Sequence, residues 1–270
     1  MKLETVIKGE LTKWPYTHPS MPSNVTVDFY GADSIELYNR NLKYTNDWLY
    51  SSSPVKYNFN KQCLRMNKDL KQVNDNYIYF SGTSFCMGLG INETDRYSDL
   101  IADKLNLDLI NCSGPTYSIK AQFISFTNFL NSGYTLPKIF VIEYPPSYAY
   151  TFYNKDNYLF YYTKNIPEEH NNHLEAYNNL LETDFFIQEA NIYRESIIAT
   201  CKQLNIKYAE VSFHKNDIFA KDLPLVDIDT NKKDINYCYA RDLRVSNGIY
   251  SGHPGIGIHK LASDIILKQL

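Results

Sequence analysis

The stretch Tyr77-Ile78-Tyr79-Phe80-Ser81-Gly82-Thr83-Ser84-Phe85-Cys86-Met87-Gly88-Leu89-Gly90 decides the fold. Its first four residues are aromatic or β-branched, as in a buried strand, and a Ser-Gly pair marks the strand's end. A helix is predicted soon afterwards, over 95–105, because apolar residues recur there at helical spacing. Such a strand–serine–helix junction lifts one hydroxyl, that of Ser84, out at the carboxyl edge of a sheet, beside a helix N-terminus. The stretch therefore predicts an α/β protein with a nucleophile at Ser84.

From Tyr77 onward, predicted strands alternate with predicted helices. The run 138–144 is continuously apolar, which is typical of a strand buried on both faces of a parallel sheet. The repeated alternation predicts a doubly wound, flavodoxin-like parallel sheet with helices on both faces. The predicted strands are 77–81, 108–112, 138–144 and 206–213; the predicted helices are 95–105, 118–131, 167–181, 184–204 and a last one with apolar positions Ile258, Leu261, Ala262, Ile265 and Ile266.

Three regions lack this alternation. Residues 1–75 show little helical periodicity and are predicted to be an irregular extension packed on the main domain, 76–270. Residues 145–165 are predicted to be an aromatic and polar loop. The segment before the last helix, through Asp242, is predicted to be irregular.

Composition excludes several classes of protein. The net charge of −3 argues against a nucleic-acid binder, which would carry a basic patch. No run of about 18 apolar residues is present, so no membrane span is expected. The start of the chain lacks the apolar core of a signal peptide, which predicts a cytoplasmic or virion-associated protein. Five scattered cysteines indicate a reduced chain rather than a disulfide framework.

The segment Gly82-Thr83-Ser84-Phe85-Cys86-Met87-Gly88 resembles the first conserved block of the SGNH (GDSL-like) hydrolases, Gly-Asp-Ser-x-(Ser/Thr)-x-Gly. It is more similar still to a Gly-Cys-Ser-Phe-Thr-x-Gly-x-Gly variant of phage and viral members. The segment 55–65 resembles the lead-in to that variant, with Arg65 at its arginine. The resemblance implies an SGNH-like three-layer sandwich, ester hydrolysis through an acyl-enzyme, and no cofactor or metal.

The resemblance also implies a general base near the C-terminus. His253-Pro254-Gly255 directly precedes the last helix, where the family has its His-Pro, and His214 is the alternative base. The family has an aspartate three residues before this histidine, where this chain has Tyr250. However, Ala240-Arg241-Asp242 resembles a viral-type Ala-Arg-Asp, so an insertion of about eight residues would make Asp242 the acid that orients His253. A Ser–His dyad is the alternative. The other histidines are predicted to lie on the surface and to bind no metal: His18, His170, His173 and His259.

The predicted oxyanion hole departs from the family pattern. The Ser84 amide is a donor by position, and Thr116 matches the glycine that supplies the second amide, with Gly114 nearby. Ser147 stands where the family has its asparagine donor. Thr83 likewise replaces the aspartate of Gly-Asp-Ser. These replacements imply activity that is weak or absent.

Tyrosine is abundant, with 24 residues in the chain. The run from Tyr148 to Tyr153 is predicted to border the site, and Tyr148, Tyr150 and Tyr250 are candidate substrate-binding residues, because tyrosine offers a flat apolar face and a hydroxyl. Loop packing, or the codon bias of an AT-rich genome, are the alternatives.

Two functions remain open. The first is a serine esterase acting on an acylated small molecule or glycan, with O-acetyl removal as one possibility and acyl transfer as a variant of the same chemistry. The second is a catalytically impaired structural or glycan-binding protein of a virion on the same fold.

Overall fold

The structure is a computed structural model of the chain. It describes residues 21–31, 34–43, 49–115, 117–146, 149–153, 158–162, 185–213, 223–226, 244–246, 249–251 and 253–270. In chain order, the elements are β1 (Val25–Val27), α1 (Ile35–Leu42), β2 (Tyr57–Phe59), β3 (Tyr77–Ser81), α2 (Ser84–Met87), α3 (Tyr97–Leu105), β4 (Asp108–Asn111), α4 (Ile119–Leu130), β5 (Ile139–Tyr144), β6 (Ala149–Tyr153), β7 (Tyr158–Tyr162), α5 (Phe185–Gln203), β8 (Lys207–Ser212), β9 (Arg244–Ser246), β10 (Ile249–Ser251) and α6 (Ile256–Leu267).

A four-stranded parallel sheet lies at the centre, in the order β4-β3-β5-β8. Because the first strand of the sheet, β3, lies between the second and the third, the order begins as in the flavodoxin-like fold. The change of winding direction falls at the carboxyl end of β3, where open α/β sheets bind their ligands. The predicted parallel α/β sheet is confirmed, and it places the residues after Ser81 at this edge.

Helices cover both faces of the sheet. Side chains along a strand alternate between the two faces, so alternate residues of β3 point into two different cores. Tyr77 and Tyr79 pack in the core shared with α4 and α5. Ile78 and Phe80 pack in the other core, which is shared with α3 and α6. All five residues of β3 are buried, so the structure has three layers.

The described part of the N-terminal region packs against the segment that follows α2. Tyr57 and Phe59 of β2 form a third core with Met87, Leu89 and Ile91. This packing holds the loop after α2 from the outside. The division of the chain at residue 75 into extension and domain stays a prediction.

Two regions predicted to be irregular contain regular structure. Within 145–165, β6 and β7 pair as an antiparallel hairpin, because the run is rich in tyrosine and phenylalanine, which favour strands. Helix α1 lies in the region predicted to lack helix. Strands β9 and β10, which follow the segment predicted to be irregular through Asp242, form a short hairpin before α6. The helix predicted over 167–181 lies outside the described residues.

In the described part of the chain, no helix is both long and apolar enough to cross a membrane. The four cysteines described, Cys63, Cys86, Cys112 and Cys201, are free.

Candidate active site

The Ser84 side chain is presented by a tight turn between β3 and α2. Thr83 has extended backbone angles and caps α2, because its Oγ1 accepts a hydrogen bond from the Phe85 N–H at 3.2 Å. Gly88 ends this helix in the left-handed region, with φ of +79°. Ser84 is therefore the first residue of a one-turn helix at the carboxyl edge of the sheet.

Gly82 allows this turn to lie directly on β5. A Cβ atom at position 82 would lie 2.6 Å from the Cβ of Cys86 and 2.8 Å from the Cβ of Glu143. Because these distances are shorter than any van der Waals contact, a larger residue would push the turn away from β5. The glycine of the predicted block is thus required by close packing.

His253 faces Ser84 from the loop before α6. Its Nε2 lies 2.8 Å from the Ser84 Oγ, although 169 positions separate the two residues in the sequence. The Phe85 ring packs edge-on against the imidazole, with centroids 5.4 Å apart, and Phe213 packs edge-on against Phe85. The structure therefore brings the predicted nucleophile and the predicted base into hydrogen-bonding contact, with the nitrogen that a general base would use.

A buried carboxyl group, Glu143, lies behind the turn and was not predicted from the sequence. It is the second-to-last residue of β5 and is fully buried. Its Oε1 accepts hydrogen bonds from the Thr83 hydroxyl and from the Thr83 N–H, the latter at 3.3 Å, and its Oε2 accepts one from the Tyr97 hydroxyl at 3.0 Å. Burial raises the pKa of Glu143 to about 7, while the hydrogen bonds from Thr83 and Tyr97 oppose the rise. The only sequence signal was one acidic residue within an apolar strand.

The prediction that His259 lies on the surface is wrong. This residue, in α6, is fully buried, and its Nδ1 accepts a hydrogen bond from the Tyr97 N–H at 3.2 Å. Its ring stacks on the Tyr97 ring. Burial and the nearby Arg96 charge lower the pKa of His259 to about 3. His259 is therefore a neutral structural group that joins α6 to the start of α3.

Two buried arginines hold the loop after α2. The Arg65 guanidinium donates to four carbonyl oxygens, those of Lys56, Met87, Gly88 and Ile91. Arg96 donates to the Arg65 and Met87 carbonyl oxygens and pairs with a carboxylate one turn later. Because the arginines replace hydrogen bonds that this loop cannot make internally, they fix the segment that follows Ser84.

Gly114 lies close to the turn, but its amide is engaged. The Gly114 N–H donates to the Gly82 carbonyl oxygen at 3.2 Å. At the end of β4, directly before this loop, Asn111 donates from its side chain to the Cys86 carbonyl oxygen at 3.0 Å. The loop after β4 thus supports the turn, and an oxyanion role for Gly114 would require its present hydrogen bond to break.

No family model matches the sequence, and no curated protein is significantly similar to it. Solved structures do resemble the chain. One is a protein assigned to the G-D-S-L lipolytic family from Desulfitobacterium hafniense DCB-2, with a TM-score of 0.41, 11% identity and coverage of 72% of this chain and 100% of that chain. Another is a lipolytic G-D-S-L family member from Veillonella parvula DSM 2008, with a TM-score of 0.39, 8% identity and coverage of 71% and 96%.

A third is a family two carbohydrate esterase from Clostridium thermocellum, in complex with cellohexaose, with a TM-score of 0.34, 14% identity and coverage of 72% of this chain and 65% of that chain. The structural neighbours are lipolytic proteins and carbohydrate esterases. The likeness concerns the fold alone, and the closeness to phage and viral members stays a prediction.

Several predicted site residues lie outside the described part of the chain: Thr116, Ser147, Tyr148, His214 and Asp242. Tyr150 and Tyr250 belong to β6 and β10, whose backbones are described. Their side chains are not described, so their contact with substrate stays a prediction. Among the described residues, no group of three or more histidine, cysteine or acidic side chains is arranged to hold a metal ion.

Proposed function

We propose that this chain is a serine esterase of SGNH type that works through an acyl-enzyme. The observation that carries the proposal is the 2.8 Å contact between the Ser84 Oγ and the His253 Nε2. A serine hydroxyl becomes an effective nucleophile when a neighbouring base accepts its proton during attack. The contact supports this pairing, because the two residues lie 169 positions apart in the sequence and meet at the edge where such folds place their sites.

In the proposed reaction, the Ser84 Oγ attacks the acyl carbonyl carbon while the His253 Nε2 takes the hydroxyl proton. The carbonyl oxygen becomes an oxyanion, to which the Ser84 N–H donates. His253 then protonates the leaving alcohol oxygen as the bond between that oxygen and the acyl carbon breaks. In the second half, His253 takes a proton from water as the water oxygen attacks the acyl carbon; the bond between that carbon and the Ser84 Oγ then breaks, His253 returns the proton to Oγ, and the acid is released.

Asp242 is the acid that we propose to orient His253. Strands β9 and β10 form a hairpin whose last paired residues are Arg244 and Ser251. Asp242 precedes the first of these by two residues, and His253 follows the second by two. Two residues span at most ~7 Å. Asp242 and His253 are therefore each within that distance of the paired residues Arg244 and Ser251. The predicted insertion therefore does not prevent Asp242 from reaching His253.

We propose acylated small molecules or glycans, with O-acetyl groups among the acyl groups, as the substrate class. The support is the tyrosine-rich sequence of β6 and β7, which follows β5 at the same edge of the sheet. Tyrosine rings bind apolar faces of sugars while their hydroxyls form hydrogen bonds. Tyr148, Tyr150 and Tyr250 remain the candidate contacts.

The alternative is a catalytically impaired binding or structural protein on the same fold. One structural observation favours it, since the Gly114 N–H already donates to the Gly82 carbonyl oxygen. The sequence adds a serine, Ser147, at the place of the family's asparagine donor. Losing one oxyanion donor typically costs ~10²–10³ in rate, so both features argue for slow turnover.

The test is turnover of short-chain aryl esters and acetylated oligosaccharides by the wild type and by Ser84→Ala. We expect the wild type to release acid. In the variant, kcat should fall at least ~10⁴-fold, because nucleophile and base act as one unit. Ser196→Ala, at a half-buried serine of α5 whose hydroxyl donates to the Ile192 carbonyl oxygen, is the matched control and should keep wild-type rates. A folded wild type without turnover on any of these substrates would favour the binding protein, and equal turnover in Ser84→Ala would refute the assignment.

A further inference from the structure

Glu143 is a charged group in a place where proteins rarely keep one. Its side chain is fully buried behind the Ser84 turn. Among the described residues, no lysine, arginine or histidine lies within ion-pair distance of it, although several surface carboxylates have such partners. A buried carboxyl without an opposite charge is costly. A group retained at this cost next to a candidate nucleophile calls for a physical explanation.

The contacts of the Glu143 carboxylate to the turn lie on both sides of the nucleophile, at Thr83 and at the Cys86 backbone. Thr83 donates to Glu143 through both its N–H and its hydroxyl. The same hydroxyl oxygen accepts the Phe85 N–H, and the Thr83 carbonyl oxygen accepts the Met87 N–H at 2.9 Å. One carboxylate thus fixes the residues on both sides of Ser84. Tyr97 of α3 anchors the carboxylate from behind.

Other contacts hold the ends of the turn, because the Gly114 N–H donates to the Gly82 carbonyl oxygen and the Asn111 side chain donates to the Cys86 carbonyl oxygen. Gly82 has no side chain, because β5 lies too close for one. The ring of Phe85 packs against His253, so a shift of the turn would move the nucleophile and the base relative to each other. The hydrogen bonds of Thr83 are made by the residue directly before Ser84, so they bear most directly on its orientation.

We propose that Glu143 is a positioning residue of this site: its carboxylate holds Thr83, and through Thr83 the Ser84 hydroxyl, within hydrogen-bonding distance of His253. The proposal rests on the proposed function, since positioning matters only if Ser84 reacts. Glu143 does not touch the reacting atoms. Its effect is to keep the nucleophile in the geometry for attack, where a displacement of about 1 Å can cost ~100-fold in rate.

Ionisation of Glu143 sets the strength of this support. An ionised carboxylate accepts at both oxygens, whereas the protonated acid carries a hydrogen on one of them. Burial places the pKa of Glu143 at about 7. The other titratable groups around it keep their charge near this pH. From α2, burial raises the pKa of the Cys86 thiol, and from α3 it raises that of the Tyr97 hydroxyl, so both stay neutral.

Beyond Tyr97 lie Arg96, whose pKa is raised, largely by Asp99, and His259, which burial keeps neutral with a pKa of about 3. Among the groups named here, Glu143 is the one whose pKa lies near neutral pH. Reaction at Ser84 should accordingly depend on two deprotonations, those of His253 and Glu143.

The experiment measures the second-order rate constant of labelling by a fluorophosphonate between pH 5 and 9. For the wild type, we expect the rate to fall on the acid side more steeply than for a single proton. Glu143→Gln should label about 10- to 100-fold more slowly at pH 8 and should follow a one-proton profile. Thr83→Val should behave like Glu143→Gln, whereas Thr83→Ser, which keeps the hydroxyl, should stay close to the wild type.

The matched control is Glu210→Gln, a carboxylate on the neighbouring strand that faces the other core and pairs with Arg194. Its pH profile should keep the wild-type shape. Wild-type labelling with an unchanged profile in Glu143→Gln and Thr83→Val would overturn the positioning role and leave the esterase proposal intact. Absence of wild-type labelling at every pH would instead refute the esterase proposal itself. If Glu143→Gln does not fold, Thr83→Val and Thr83→Ser decide the question.

Discussion

At the scale of single residues, the proposed role of Glu143 requires a carboxylate that lowers the stability of the folded chain. Its carboxylate holds the turn beside Ser84, yet burial makes the charged form unfavourable. Sites of this kind often keep strained or destabilising groups because the chemistry uses them. The same residue should therefore leave a signature in the pH dependence of stability, independent of any activity.

The free energy of unfolding should fall between about pH 4.5 and 7. The pKa of Glu143 is about 7 in the folded chain, against a usual value of 4.5. Between these values the folded state holds a proton that the unfolded state has released, so raising the pH favours unfolding. The loss from this group is complete above about pH 7 and amounts to on the order of 3 kcal/mol.

Urea unfolding at pH 5 and pH 8 measures this effect. Glu143→Gln removes the titrating group, so the difference in unfolding free energy between the two pH values should change by ~2.5 kcal/mol relative to the wild type. In Glu210→Gln the wild-type difference should persist. The same pH dependence in Glu143→Gln as in the wild type would show that Glu143 does not titrate in this range.

At the scale of elements, the loop after α2 depends on Arg65. This guanidinium is fully buried, lies over the Tyr57 ring at 4.2 Å and satisfies four backbone carbonyl groups. Burial, followed by the charge of Arg96, lowers the pKa of Arg65 to about 10. The group thus stays charged at neutral pH, and its hydrogen bonds to the carbonyl groups offset the cost of burial.

Arg65→Lys should destabilise the protein by about 3 kcal/mol or more. One ammonium group cannot reach all four carbonyl oxygens, and each buried group left unpaired costs ~1–3 kcal/mol. Lys61→Met is the contrast, because the Lys61 side chain is 57% exposed and its contact with Asp69 is 3.4 Å; we expect a change below ~1 kcal/mol. Urea unfolding of both variants provides the measurement. Equal losses in the two would contradict the role assigned to Arg65.

At the scale of the whole molecule, the candidate site joins parts of the chain that lie far apart. Residue 84 follows the first strand of the sheet, and residue 253 precedes the last helix. Helix α6 packs its apolar side, including Ile258 and Ile266, into the same core as Phe80. The sheet order and this packing bring the two residues together.

Much of this arrangement could be predicted from sequence patterns. The four strands of the sheet were identified because each is an apolar run bounded by turn residues, and the order of winding follows from their alternation with helices. The position of Ser84 at a strand end and of His253 before the last helix required only local patterns. Their contact follows from the fold class.

The supporting residues could not be predicted in the same way. Glu143 stands within an apolar strand, where periodicity indicates burial but not a partner. His259 is polar, and nothing in the sequence marks the Tyr97 backbone that it accepts from. The hairpins β6–β7 and β9–β10 lack the alternation that marks half-buried strands. Each of these features depends on tertiary contacts between distant segments.

Mapping the site of a covalent adduct tests the central claim most directly. The wild type and His253→Asn are treated with a fluorophosphonate, and the modified residue is identified by peptide mass spectrometry. The account predicts one adduct per chain, on Ser84, forming at least ~10³-fold more slowly in His253→Asn because the base is lost. An adduct on another residue, or equal rates in the two proteins, would contradict the claim that His253 activates Ser84.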